Sequence, residues 1–328
     1  MIYAPVLIPT LNRYEHLKET ITSLSHCTGA EFTDLYIALD YPPSAYYEEG
    51  YIKIVNFLPS ISGFKSVNII RRDHNFGVGK NALDALVNIV FKEHDRYIFS
   101  EDDNHFSPNF LEFMNKGFEM FKDNKSVIAI NGYRHFYDLK FADNNYFFQT
   151  IDFSAWGYGM MRETRLTIGS IITKKYFRKK FLNPLNWWRV GRNGLNRLLQ
   201  FLFFVFGTYE TPKINDGTLS VYLALNNLMV VMPRVSKVRN IGWDSLSNSY
   251  MTGNMPIELA EQYSSQEIDT QSSFEFEGNG YAFYDENRKT YKAETHDRLT
   301  FSSFAKVVFK KIIPGLRKKI IQFIKRKV

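Results

Sequence analysis

Glu101-Asp102-Asp103 places three carboxylates side by side, directly after the apolar run Tyr97-Ile98-Phe99-Ser100. Adjacent carboxylates repel one another, so solvent, a basic partner or a metal ion must compensate them. At the end of a buried strand solvent is the least available of these, and hard divalent cations prefer oxygen ligands. The triplet therefore reads as a site for Mn²⁺ or Mg²⁺ carrying a diphosphate, with a solvated acidic turn as the plain alternative. A second place to look for chemistry is His74-Asn75-Phe76-Gly77-Val78-Gly79-Lys80-Asn81. It lacks the spacing of a Walker loop, because Lys80 is followed by Asn81 and no glycine stands at the required distance. It reads instead as a loop bending around a nucleotide and capping the next helix.

The elements that would position these groups follow from periodicity. Ala4–Thr10, Leu35–Asp40, Ser66–Arg71 and Tyr97–Ser100 are short apolar runs with the look of buried strands. Between them lie helical patterns: Leu17, Thr20, Ile21 and Leu24, then Tyr51–Leu58, then Ala82, Leu83, Leu86, Ile89 and Val90. Strands alternating with helices at this spacing predict an α/β fold, a mostly parallel sheet with helices on both faces. Ligands of such sheets bind beyond the carboxyl ends of the strands. Thr10, Asp40, the Arg71–Gly77 turn and Glu101–Asp103 all fall there.

Composition narrows the class. The 328 residues suffice for a sizeable core, and the single cysteine, Cys27, excludes an internal disulfide and a thiolate metal cluster. Met1–Pro9 has neither a basic segment nor a long apolar core, and reads as a first strand, not a leader or anchor. The net charge of +7 is unevenly placed: residues 165–209 and 303–328 each hold nine Lys or Arg and no acid, so the rest of the chain is acidic. An acidic body argues against nucleic acid as a partner, since a phosphate-tracking surface needs its basic residues on the folded domain.

The segment from Tyr97 through Glu101-Asp102-Asp103 to Ser107-Pro108-Asn109-Phe110 and Phe113 resembles the metal-site segment of N-acetylglucosaminyltransferase I, an inverting nucleotide-sugar glycosyltransferase of the A-type fold. Ile8-Pro9-Thr10-Leu11-Asn12-Arg13 is similar to the opening of the large bacterial family of A-type glycosyltransferases. The likeness covers roughly residues 3–250 and is specific around 97–135. It implies Asp103 as the metal ligand, with Glu101 and Asp102 holding the donor. It points to Thr10, Asn12, Arg13 and Asp40 as nucleotide contacts, and Arg71 or Arg72 could balance phosphate charge. His74, beside Asn75, is as readily a turn residue as a ligand. Trp156-Gly157 matches a Gly/Trp-rich floor of the sugar pocket, and its rival reading is a core Trp beside a turn.

In the resembled enzymes the base lies in an acidic motif opening a later helix, which selects Asp216 in Asn215-Asp216-Gly217-Thr218. Inverting transfer needs one carboxylate to take the acceptor hydroxyl's proton, and the competing role of Asp216 is helix N-capping. Val235–Ser249 resembles a later Asn-Ile-Gly-aromatic segment. Relatives carry a His near Ser249, so the second protein ligand of a metal is open, with Asp244 or Asn248 as substitutes, or none.

Residues 1–257 are thus expected to form the transferase domain, with a donor half to 132 and an acceptor half carrying a basic aromatic insertion at 174–207. Residues 258–300 read as a polar linker or lid, and 301–328 as a basic amphipathic tail. Tail and insertion suit an anionic membrane surface, although the insertion's aromatics could equally pack into the core. The reading that follows is a metal-dependent, inverting transfer from a nucleotide sugar to a glycan or lipid-linked acceptor, at the cytoplasmic face of a membrane. Retaining transfer, nucleotidyl transfer on the same fold, and an inactive membrane adaptor are the alternatives.

Overall fold

The computed structural model describes residues 2–135, 147–207, 215–243, 261, 263–276 and 301–312. Asp244, Asn248 and Ser249, residues 277–300 and the tail beyond 312 lie outside the described residues.

The first half is the α/β unit that the periodicity predicts. Strands β1 (Val6–Thr10), β2 (Asp34–Leu39), β3 (Ser66–Arg71) and β4 (Arg96–Phe99) lie parallel in the order β3-β2-β1-β4. Helix α1 (Tyr14–Ser25) joins β1 to β2, and α2 (Glu48–Phe57) joins β2 to β3. Helix α3 (Val78–Ala85) runs through a π turn at Leu86–Val90 into the short α4 (Phe91–Glu93) before β4. Alternation within β1 explains why its whole sequence is apolar. Leu7 enters one core with Tyr36 and Ala38, while Val6 and Ile8 enter the other with Leu35 and Ile37. A strand buried on both faces has no polar side. The edge strand β3 is accordingly the one left half-exposed.

The second half departs from a simple parallel sheet. After β5 (Asn104–Phe106), α5 (Phe110–Phe121), β6 (Val127–Asn131) and β7 (Phe147–Thr150), strand β8 (Tyr158–Met161) returns antiparallel between β4 and β6. Strand β9 (Met229–Pro233) pairs parallel with β6 and antiparallel with β7, completing eight strands. Apart from this sheet, β10 (Val238–Asn240) forms a two-stranded antiparallel ribbon with β5.

Helices α6 (Arg162–Ile171), α7 (Lys174–Phe181), α8 (Pro184–Gly191), α9 (Leu195–Phe206) and α10 (Asp216–Asn226) make up the rest of the acceptor half. Part of the insertion turns inward: Phe177, Phe201 and Val205 belong to the same core as Leu7 and Tyr97. Leu182, Leu185 and Trp188 stay exposed among the basic residues. Residues 263–276, within the stretch read as a polar linker or lid, form a strap. Phe274 is buried against Phe113, and the buried Lys237 pairs with Asp269. Helix α11 (Phe301–Val307) packs along α9.

Candidate active site

The chain moves outward from β1 to β3 and then crosses back to place β4 on the other side of β1. The crevice at such a reversal is where sheets of this kind bind ligands. Here it opens into a cavity of about 1510 Å³, lined by Thr10, Asn12 and Arg13 after β1 and Asp40 and Asn75 near the end of β2. Glu101, Asp102 and Asp103 after β4, Trp156 before β8 and Asp216 at the start of α10 line it as well. Ten of the residues predicted from the sequence therefore meet in one place, including the proposed base some 113 positions from the acidic triplet.

The triplet is held from several sides. Thr20 on α1 donates its hydroxyl to the Asp102 carbonyl at 2.9 Å and accepts from the Asn104 amide at 3.1 Å. Thr10 donates to Asp102 Oδ2 at 2.7 Å. Arg13 Nη2 bridges Asp102 Oδ1 at 2.5 Å and Asp103 Oδ2 at 2.8 Å. From the other side the β5–β10 ribbon sets Asn240 opposite Asn104, and Asn240 Nδ2 donates to Asp103 Oδ1 at 2.9 Å. The next turn closes on the same carboxylate: a Cβ on Gly242 would stand 1.9 Å from Asp103 Oδ2, so only glycine fits.

Trp156 Nε1 donates to Glu101 Oε2 at 3.0 Å, and its ring meets Tyr133, Trp243 and Tyr263 edge-on. The indole thus both lines the cavity and belongs to an aromatic cluster. Asp216 is freed from capping because Asn215 does that work, in a capping box with Thr218. Asp216 Oδ1 accepts from the Ala155 amide at 3.0 Å, which ties α10 to the loop that carries Trp156.

The electrostatics show how lightly this acid cluster is balanced. Glu101, Asp102, Asp103 and Asp216 share the cavity, with Arg13 in direct contact with two of them. Burial, then repulsion from Asp103, Asp216 and Asp102, pushes the Glu101 carboxyl up to about 8. Burial also raises Asp103, against the opposing pull of Arg13. Asp216 is pushed up to about 6, chiefly by burial.

Three predicted residues stand elsewhere. Arg71 donates to the Tyr51 hydroxyl at 2.9 Å and does not line the cavity, while its neighbour Arg72 pairs with Asp84. His74 is exposed and bonded to Asp73. Gly157 has a positive φ of 68° and packs against Val238 and Phe110, so the core demands its missing side chain. Asp40 ties the end of β2 to the turn after β3, accepting from the Phe76 amide at 2.8 Å and from Asn75 at 3.4 Å. Sequence reasoning missed Thr20, Asn240 and Gly242 as parts of the site. The Asn-Ile-Gly run was visible, but its partner was not.

Among the described residues no three His, Cys, Asp or Glu side chains converge as a ready metal shell. The donor set still fits a hard cation in part. Asp102 and Asp103 present neighbouring oxygens toward the cavity with less positive charge around them than the acids require, and Mg²⁺ commonly completes its shell with phosphates and water. The position between the two carboxylates is the one that Arg13 Nη2 takes, so a cation there requires Arg13 to move aside.

No family model and no curated protein matches this chain. Among solved structures, the mannosyltransferase PcManGT from Pyrobaculum calidifontis, in complex with GDP-Man and Mn²⁺, is similar over 68% of this chain and 69% of its own, at 11% identity and a TM-score of 0.38. S. aureus TarS is similar over 52% of this chain and 30% of its own, at 14% identity and a TM-score of 0.34. For TarS 1-349 with UDP-GlcNAc the corresponding figures are 52%, 48%, 14% and 0.34. The chain therefore spans about a third to a half of the TarS chains it matches.

Proposed function

We propose that the protein is a metal-dependent, inverting glycosyltransferase that moves a sugar from a nucleotide-diphosphate donor to a hydroxyl of a glycan or lipid-linked acceptor. The observation that carries this reading is the meeting of the β4 acidic triplet and Asp216 across one cavity at the β1/β4 crevice. Asp102 and Asp103 are the residues that would hold Mn²⁺ or Mg²⁺, whose part is to offset charge on the departing diphosphate. Thr10, Asn12, Asp40 and Asn75, which line the same cavity, are the residues that would meet the base and ribose of a donor.

Asp216 is suited to general base work because its folded pKa, about 6, leaves it ionised at neutral pH yet basic enough to accept a proton. As the acceptor oxygen bonds to the anomeric carbon, its proton passes to an Asp216 carboxylate oxygen. The bond from that carbon to the diphosphate breaks, and its electron pair leaves with the nucleotide. The hydrogen bond from Ala155 fixes which oxygen faces the cavity, since Oδ1 is engaged. The nine Lys and Arg of residues 303–328, with Phe301 and Phe309 exposed among the described residues, support peripheral attachment to an anionic membrane at its cytoplasmic face. No helix among the described residues is long and apolar enough to cross a bilayer.

Calorimetry with UDP and GDP, with and without Mn²⁺, tests the donor site, and a panel of nucleotide sugars tests hydrolysis and transfer. Binding in Mn²⁺ that chelator abolishes is the expected result. Absence of binding to either nucleotide would remove the transferase reading and favour an adaptor that keeps the fold.

A further inference from the structure

The cavity is larger than one donor needs. Pockets that hold a single small ligand measure about 300–1,000 Å³, against about 1510 Å³ here. Its lining also changes character away from the acids. One wall is formed by Val78, Leu83 and Leu86 of α3 and the π turn, the other by Phe203, Phe204 and Phe206 of α9. Val78 and Leu83 are 77% and 46% exposed. The sheet side of α3 is instead filled by Asn81 and Ala85. Apolar side chains turned toward a cavity and away from the available core call for an apolar ligand.

Two guanidinium groups line the cavity, Arg13 and Arg165. Arg13 is committed to Asp102 and Asp103. Arg165 lies on α6 against the hydroxyls of Tyr97 and Tyr158, and its Nε has no hydrogen-bond partner among the described residues. It is near enough to Asp216 that both groups act on the Tyr158 hydroxyl. The cavity therefore combines an apolar channel, a cation without a carboxylate partner among the described residues, and a carboxylate base. Helix α9 is also the one against which α11 packs, and Lys174 and Arg178 of α7 donate to its last carbonyls, at Gly207 and Val205.

We propose that this apolar arm, with Arg165 beside it, is the acceptor subsite, and that the acceptor is an anionic amphiphile: a phosphate ester that joins a long alkyl or prenyl chain to a head group carrying the acceptor hydroxyl. That it is an acceptor rests on the transferase reading above; that the arm binds a lipid phosphate stands on the lining alone. The chain lies between α3 and α9, Arg165 meets the phosphate, and the hydroxyl to be modified reaches Asp216.

Calorimetry of the full chain with farnesyl phosphate, farnesol and inorganic phosphate, each below its aggregation limit, tests this. Farnesyl phosphate binds tightest, farnesol more weakly, and inorganic phosphate alone not measurably. Phe203→Glu and Leu83→Asp each weaken farnesyl phosphate by about tenfold or more, since each sets a charge against the chain. Both variants keep UDP binding in Mn²⁺, which reports on the acidic end and on folding. Arg165→Gln brings farnesyl phosphate down to the level of farnesol. Farnesyl phosphate that does not bind, or that binds both charged variants as tightly as the wild type, overturns the proposal. Binding of farnesyl phosphate without binding of UDP or GDP would remove the transferase reading and leave the lipid-phosphate site standing.

Discussion

Replacing Asp216 with Asn should make the protein more stable while abolishing transfer, and the size of the effect can be worked out. The carboxyl moves from an ordinary 3.8 to about 6 on folding, chiefly because it is buried, and the backbone amides of Ala155 and of Asp216 itself, with Arg197, offset only part of that cost. A carboxyl whose folded pKa exceeds its unfolded value holds its proton longer in the folded state. Stability therefore falls as pH rises from about 4 to about 6, and the full penalty persists above that window. Two pKa units correspond to about 3 kcal/mol as a ceiling. Asp216 lines a cavity that solvent can enter, so screening reduces this to about 1–3 kcal/mol. Asn is neutral throughout and still accepts from Ala155. In thermal melts at pH 8 the variant should unfold about 2–6 °C above the wild type, with the gap closing near pH 4. Wild-type transfer should rise with pH up to about 6 and then level, while the variant binds UDP in Mn²⁺ but does not turn over. A variant that melts at or below the wild type at pH 8, or a gap that pH does not change, would refute the argument. Near-normal turnover would remove Asp216 from the chemistry.

Other expectations follow from single contacts. Arg13→Ala removes the cation in contact with Asp102 and Asp103, and breaking a buried pair from one side destabilises by about 3–5 kcal/mol. Melts should show that loss at neutral pH and its partial recovery in Mn²⁺, and no recovery would argue against a cation between the two acids. Gly242→Ala presses a methyl group onto Asp103 Oδ2. Mn²⁺-dependent UDP binding should fall about tenfold or more, equivalent to about 1.4 kcal/mol, and unchanged calorimetry would show that the turn yields. Deleting residues 301–328 should release the protein from anionic vesicles, because each basic residue near such a surface contributes about 1 kcal/mol. Unchanged co-sedimentation would end the membrane proposal.

What could be read from the sequence was whatever is encoded locally. The run Val6-Leu7-Ile8 announces a strand buried on both faces, and the strand-end positions of Thr10, Asp40 and Glu101 follow once the parallel pattern is seen. What could not be read depends on contacts between distant segments. Asn240 reaches Asp103 only because β10 pairs with β5, across 137 positions, and no periodicity encodes that pairing. Thr20 has the spacing of a core residue on α1 and is indeed buried, yet its hydroxyl holds the backbone of the acidic triplet. Leu83 fits an inward-facing helical stripe with Leu86 and Val90. The stripe is broken at the π turn of Leu86–Val90: Val90 is buried in the core, Leu86 is buried yet also borders the cavity, and Leu83 lines the cavity exposed.

Arg13 shows the same limit at the centre of the site. Three adjacent acids at a strand end require compensation by solvent, by a basic partner or by a metal ion. The fold supplies the basic partner from the loop after β1, 89 positions away, and brings Asp216 to the same cavity. Arg13 touches only Asp102 and Asp103, and the carboxyl of Glu101, raised by burial and then by repulsion from Asp103, Asp216 and Asp102, expresses the remaining deficit. An added cation would relieve it, and a nucleoside diphosphate could bind only with that cation or with Arg13 turned toward it. The three cannot all occupy the space between Asp102 and Asp103. Donor and metal are therefore expected to enter together, with Arg13 leaving the acids for the phosphates. Mn²⁺ titrated without nucleotide should bind the wild type more weakly than with UDP present, and equal affinity in both titrations would show that Arg13 does not guard the site.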